Sequence, residues 1–96
     1  MLEEASLIAA GNQEIESRIF CSQAKIAFAK KDINAAEVAA LESYRISLGK
    51  NSMASELLGD IYFEKKQPDQ AKRYWKEAIE SGGNRLQLQS KLSQIP

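Results

Sequence analysis

The sequence predicts an all-α protein built from antiparallel helix-turn-helix pairs, and three observations carry that prediction. Apolar residues recur at helical spacing, as in Leu57, Leu58, Ile61 and Tyr62 and again in Ala71, Tyr74, Trp75, Ala78 and Ile79. No segment alternates apolar and polar residues as a half-buried strand does. Gly11-Asn12, Gly49-Lys50-Asn51 and Gly82-Gly83-Asn84 each place glycine where a left-handed residue ends one helix and asparagine where the next is capped.

Taken in order, residues 1–11 read as the end of a preceding helix, on the strength of Leu2, Ala5, Ile8 and Ala9. A long helix follows from Gln13 to about Lys31, apolar on two faces: Ile15, Ile19 and Ile26 on one, Phe20, Ala24, Ala27 and Phe28 on the other. An inner helix packed on both sides has this pattern, and so does a helix with an open partner-binding face. A third helix runs from about Ala35 to Leu48, with Asn34-x-x-Glu37 as a capping box. Residues 52–83 hold the best-formed pair, its helices separated by Gln67-Pro68-Asp69. Pro68 suits the first turn of the second helix, where its missing N–H is not needed, and Asp69 sets negative charge near that helix's positive end. A last helix spans Arg85 to about Ile95, opened by Asn84-x-x-Gln87. Its narrow stripe of Leu88, Leu92 and Ile95 on an otherwise polar surface is that of a terminal capping helix with a wettable outer face.

Small and large residues alternate across the best pair. Gly59 and Ala71 let two helix backbones approach, while Tyr62 and Trp75 fill the space around them. Leu58-Gly59-x-x-Tyr62 followed by Ala71-x-x-x-Trp75-x-x-Ala78 thereby resembles a tetratricopeptide repeat, whose Trp, Leu-Gly, Tyr, Ala, aromatic, Pro pattern occupies roughly 34 residues. Ser55 stands where the first aromatic belongs, Trp75 replaces a Phe, and Gly83 falls where a Pro closes the unit. Residues 13–48 align as a degenerate copy: with Ala36 on Ala71, Ala24 falls on Gly59, Ala27 on Tyr62, Ala40 on Trp75 and Lys30-Lys31 on Lys65-Lys66. The resemblance implies an α-solenoid of about two and a half repeats with residues 85–95 as its cap. Such an array falls short of the roughly three repeats needed for independent stability, which points to a longer array or to self-association.

Composition narrows the function. A chain of 96 residues is one domain that buries about 60 to 65% of its unfolded surface. Thirteen basic and thirteen acidic residues cancel, so no net field draws it to nucleic acid or an anionic membrane. No apolar run is long enough for a transmembrane helix, and the acidic start Met1-Leu2-Glu3-Glu4 is unlike a secretory signal; a soluble, cytoplasmic chain is favoured. Cys21 is the single cysteine and histidine is absent, so an intramolecular disulfide framework is excluded and the commonest general base and metal ligand are missing. Glycine-rich phosphate loops, metal-ligand clusters and nucleophile elbows are absent too. A non-enzyme without cofactor or metal is expected. Lys65, Lys66, Lys72, Arg73 and Lys76 concentrate positive charge, but Glu77 and Glu80 stand one turn from Arg73 and Lys76 and make this a solvated face.

The remaining candidate is a binding surface. Glu56, Asp60 and Glu64 recur every four residues and share one helix face with Met53 and Phe63. In the resembled family that face is the concave one, which grips peptides or partner helices. The degenerate copy offers Arg18, Cys21, Lys25, Phe28 and Ala29 there, with Lys25 opposite Asp60 and Phe28 equivalent to Phe63. The expected site is therefore Arg18, Lys25, Phe28, Met53, Glu56, Asp60, Phe63 and Glu64, a mixed groove for a basic or amphipathic peptide. Phe28 fits the apolar face of its own helix equally well, and the carboxylates fit an ordinary solvated one. Glu56 and Asp60 have the wrong sign for a clamp that holds a chaperone's terminal carboxylate. A structural role, in which exposed repeat ends stack on another copy, is the rival expectation.

Overall fold

The computed structural model describes residues 13–95. Five α-helices follow one another there: α1 (Gln13–Ala29), α2 (Ile33–Ile46), α3 (Ser52–Glu64), α4 (Pro68–Glu80) and α5 (Arg85–Leu92). Among the described residues there is no strand, so the all-helical class is observed. The helix expected within residues 1–11 and the Gly11-Asn12 stop lie outside the described residues.

Each helix start has a local cause. The Asn51 carboxamide oxygen accepts from the backbone N–H of Met53 and Ala54 at 3.0 and 3.3 Å, and that of Asn84 accepts from Gln87 at 3.0 Å, so two of the anticipated asparagine caps are in place. Pro68 opens α4 from within its first turn, as expected. The Asn34 capping box is corrected: α2 starts at Ile33, and Asp32 Oδ1 accepts from Ala35 N at 3.2 Å. Asp32 wins because it stands just outside the helix, where an N-cap belongs, whereas Asn34 is already helical.

The helix ends show a regularity that the glycine positions only half disclose. Lys31, Leu48, Lys66 and Gly82 adopt φ of 64, 56, 62 and 93°, each ending a helix in the left-handed region. Every one carries the same paired closure. Lys31 N–H bonds Phe28 O and Asp32 N–H bonds Ala27 O; the Lys66/Phe63 and Gln67/Tyr62 bonds repeat this, as do Leu48/Arg45 with Gly49/Tyr44 and Gly82/Ile79 with Gly83/Ala78. Glycine marks the second and fourth turns, but lysine serves at the first and third, where its backbone accepts a left-handed conformation that costs about 1 kcal/mol.

Packing follows from these turns. Ser17 on α1 bonds Ser43 on α2, while Ala24 shares a buried cluster with Ala36, so the two helices run antiparallel. Trp75 of α4 reaches Asp60 near the middle of α3 in the same sense. One cluster holds Ala24, Ala36, Ala40, Leu57, Leu58 and Ile61, with Phe28, Tyr62 and Tyr74 packed against it. A second holds Ala71, Trp75, Ala78 and Leu88, which seats α5. Of the small residues the aligned copy set at packing positions, Ala24, Ala36 and Ala40 are fully buried and Ala27 is partly buried. Tyr62 and Tyr74 stack at 5.5 Å and Tyr44 meets Tyr74 edge-on at 5.4 Å, tying α2, α3 and α4 together. Tyr62 and Lys65 both donate to Glu37, and these two bonds hold the Glu37 carboxyl below its ordinary range. Tyr44 donates to Glu77 at 2.6 Å, a bond that with burial pushes the phenol up to about 12. No helix among the described residues is long and apolar enough to cross a membrane.

Ser55, in place of the first aromatic of the pattern, is fully buried, and its hydroxyl has no hydrogen-bond partner. A buried orphan hydroxyl costs about 1–3 kcal/mol, and alanine is also the better helix former. Ser55→Ala is expected to raise the unfolding free energy by about 0.5–1.5 kcal/mol in denaturant titration; a loss of that size would mean that the hydroxyl has a partner.

Candidate partner-binding face

Helical spacing places Met53, Glu56, Asp60, Phe63 and Glu64 on one face of α3. Burial respects that division: Leu58 and Ile61 are fully covered, whereas Met53 and Phe63 remain 51% and 39% exposed. Phe63 rests against Trp75 at 5.6 Å between ring centroids, and Trp75 is nearly fully buried.

Between Met53 and Phe63 the carboxylates are already occupied. Lys91 of α5 donates to Glu56 Oε2 at 2.8 Å and to Asp60 Oδ1 and Oδ2 at 2.8 and 3.1 Å. Gln87 Nε2 donates to Glu56 Oε2 at 3.2 Å, and Trp75 Nε1 divides its proton between Glu56 O and Asp60 Oδ1 at 3.2 Å each. Leu88 makes this arrangement possible: buried in the α4 cluster, it turns Lys91, three residues on, toward α3. Burial raises the Asp60 carboxyl above its ordinary range, and the bonds from Lys91 and Trp75 only partly oppose the shift. Lys91 feels burial too, but its bonds to Asp60 and Glu56 outweigh it and hold the ammonium above its usual range. The two carboxylates and one ammonium leave a single net negative charge in a partly buried patch.

Two hollows flank the patch. One, of about 240 Å³, lies among Lys25, Met53, Glu56, Leu57, Asp60, Gln87 and Lys91, so α1, α3 and α5 each contribute to it. The other, of about 520 Å³, lies where Arg18 of α1, Leu48 after α2 and Met53 of α3 converge. Ser17, Ser43 and Asn51 stitch its floor: Ser43 Oγ donates to Ser17 O at 2.6 Å, the two hydroxyls lie 2.8 Å apart, and Asn51 Nδ2 donates to Ser17 Oγ at 3.0 Å.

The residues expected to form a site divide accordingly. Lys25, Met53, Glu56 and Asp60 meet around one hollow, and Arg18 joins Met53 in the other while pairing with Glu14 at 3.1 Å. Phe63 and Glu64 lie exposed toward the far end of α3. Phe28 is half-buried against the core cluster, the second of the two readings its sequence position allowed. The acidic row is not an open strip at Glu56 and Asp60, because Lys91 fills it. Sequence reading missed Lys91 and Gln87, although their places beside Leu88 on the apolar stripe are the signal that would have found them. Arg73 does approach Glu77, at 3.9 Å. Cys21 is buried, and burial pushes its thiol up against the pull of Lys25, which is the reverse of what a nucleophile needs.

No family model matches the chain, and neither a curated protein nor a solved structure matches it.

Proposed function

We propose that this chain is a non-catalytic protein-interaction module of tetratricopeptide-like build that receives a peptide or partner helix on the face shared by α1, α3 and α5. The observation that carries the reading is the exposure of Met53 and Phe63 on the one face of α3 whose intervening carboxylates are satisfied from within. Met53 and Phe63 keep 51% and 39% of their surface exposed, so burying the rest against a partner is worth about 0.6–1.5 kcal/mol each, while Lys25 and Glu64 flank them with opposite charge. An amphipathic partner fits better than a strongly basic one, since Lys91 already supplies the cation that Glu56 and Asp60 attract. The recurrence of the left-handed turn at Lys31 and Lys66, and again at Leu48 and Gly82, supports the repeat build. The absence of histidine and the burial of Cys21 support the lack of catalysis.

Labelled peptides of amphipathic, basic and acidic composition, titrated into the purified chain, test this reading. The amphipathic set should bind best, and both Met53→Ser and Phe63→Ser should weaken it by about tenfold or more, a loss of roughly 1.4 kcal/mol. Binding that is indifferent to both substitutions would take α3 out of the site.

A further inference from the structure

Among the described residues α5 is the shortest helix, eight residues long, and Leu88 is the single one of them that is buried. A helix of that length is unstable alone, so α5 is helical because it is docked, and it is the element that opens most readily. Its attachment suits opening. Gly82 stands at φ 93° with nothing within 4 Å of where a Cβ would lie, whereas a Cβ at Gly83 would meet Ala78 O at 2.8 Å and Leu88 Cδ1 at 2.9 Å. The turn has open space at Gly82, and Leu88 closes over it only because Gly83 carries no side chain.

What α5 brings to the fold has the form of a helical ligand. Leu88, Lys91, Leu92 and, just past the helix end, Ile95 stand at i, i+3, i+4 and i+7, the spacing by which an amphipathic helix fills a groove. Leu88 seats against Ala71, Trp75 and Ala78, with Leu92 and Ile95 packed beside it, and Lys91 meets Glu56 and Asp60. Leu86, Gln89 and Ser90 face solvent. The seat itself belongs to α3 and α4. Without α5 it is an apolar floor beside two carboxylates, and Lys25 of α1 is the one cation left lining that hollow.

We propose that the groove beneath α5 is a binding site for an amphipathic helix that carries leucine and lysine three residues apart, with further aliphatic residues a turn on, and that α5 closes it as a built-in competitor. Tethering gives α5 an effective concentration on the order of 1 mM, so an outside helix enters when it is longer or more complementary than α5, or when α5 is loosened. The site is distinct from the surface that Met53 and Phe63 expose while α5 is closed, and neither reading requires the other.

A labelled synthetic peptide with the sequence of residues 84–95, titrated into the full chain, tests the proposal. Lys91→Glu and, through packing rather than charge, Gly83→Ala should each bind it more tightly than wild type by about tenfold or more, because both loosen α5 and leave its seat on α3 and α4 intact. Peptides bearing Leu88→Ser or Lys91→Glu should lose about tenfold or more on either opened chain. In wild type, saturating peptide should move the backbone amide signals of Leu88 and Lys91 to the positions of an unfolded segment while those of α1 and α2 hold. Equal binding to all three chains overturns the proposal, as does hydrogen exchange in which α5 keeps its protection in both variants. No binding to chains whose α5 has lost protection overturns it too and makes α5 a fixed cap. Binding to wild type that moves Met53 and Phe63 but leaves Leu88 and Lys91 in place would uphold the exposed surface alone and sink the groove.

Discussion

Gly59→Ala is expected to destabilise the fold by about 2–3 kcal/mol, even though alanine is the better helix former by about 1 kcal/mol. A Cβ at Gly59 would stand 2.2 Å from Trp75 Cδ1 and 2.3 Å from Nε1, far inside van der Waals contact. The indole has little room to retreat. It is 2% exposed, packed with Ala71, Ala78 and Leu88, and held by its Nε1 bonds to Glu56 and Asp60. The clash therefore outweighs the gain in helix propensity. Gly59→Leu should be worse, whereas Gln89→Leu on the exposed side of α5 should change little. Unfolding in urea measures all three. The cause is isolated by a double substitution: Trp75→Phe removes Nε1 and the bonds that pin the ring, so the smaller ring can give way to the new Cβ and Gly59→Ala should cost less on that background than on wild type. Equal costs on both backgrounds would mean that the α3/α4 contact is elsewhere.

Lys91→Glu carries the second large effect, at about 2–4 kcal/mol with selective loss of α5. The ammonium is the shared cation of Glu56 and Asp60, and all three side chains are less than one-third exposed. Reversing its sign sets three carboxylates together in a patch where burial already disfavours the ionised Asp60. Leu88, with Leu92 and Ile95 packed beside it, must then hold an eight-residue helix that is too short to persist unaided. Hydrogen exchange should show α5 amides losing protection while those of α1 and α2 keep theirs. Lys91→Met, which retains the stem and removes the charge, should fall between wild type and the reversal. Uniform loss of protection throughout the chain would show that α5 is not a separately opening element.

The sequence made the helices legible because their determinants are local: apolar spacing, Pro68 at a helix start, Asn51 and Asn84 as caps. Gly59 opposite Trp75 was legible too, since a glycine within an apolar helix face signals close approach. The left-handed Lys31 and Lys66 were not, because nothing in a lysine side chain announces a positive φ; only their alignment with one another hints at it. The Ser17, Ser43 and Asn51 network was invisible for a related reason, since serine is ordinary on a helix surface and its burial is decided by a partner 26 residues away. That Met53, Glu56, Asp60 and Phe63 share one face of α3 was legible, but the electrostatic state of that face was not. A row of carboxylates reads as open until the fold delivers Lys91 from 31 residues downstream.

That face is where the account stands or falls. Backbone amide shifts of the chain, followed as the tightest-binding amphipathic peptide is added, test it most directly. The account predicts shifts concentrated at Lys25, Met53 and Phe63, with Lys72 and Lys76 on α4 unmoved. Shifts centred on the α4 lysines, or none at saturating peptide, would contradict it.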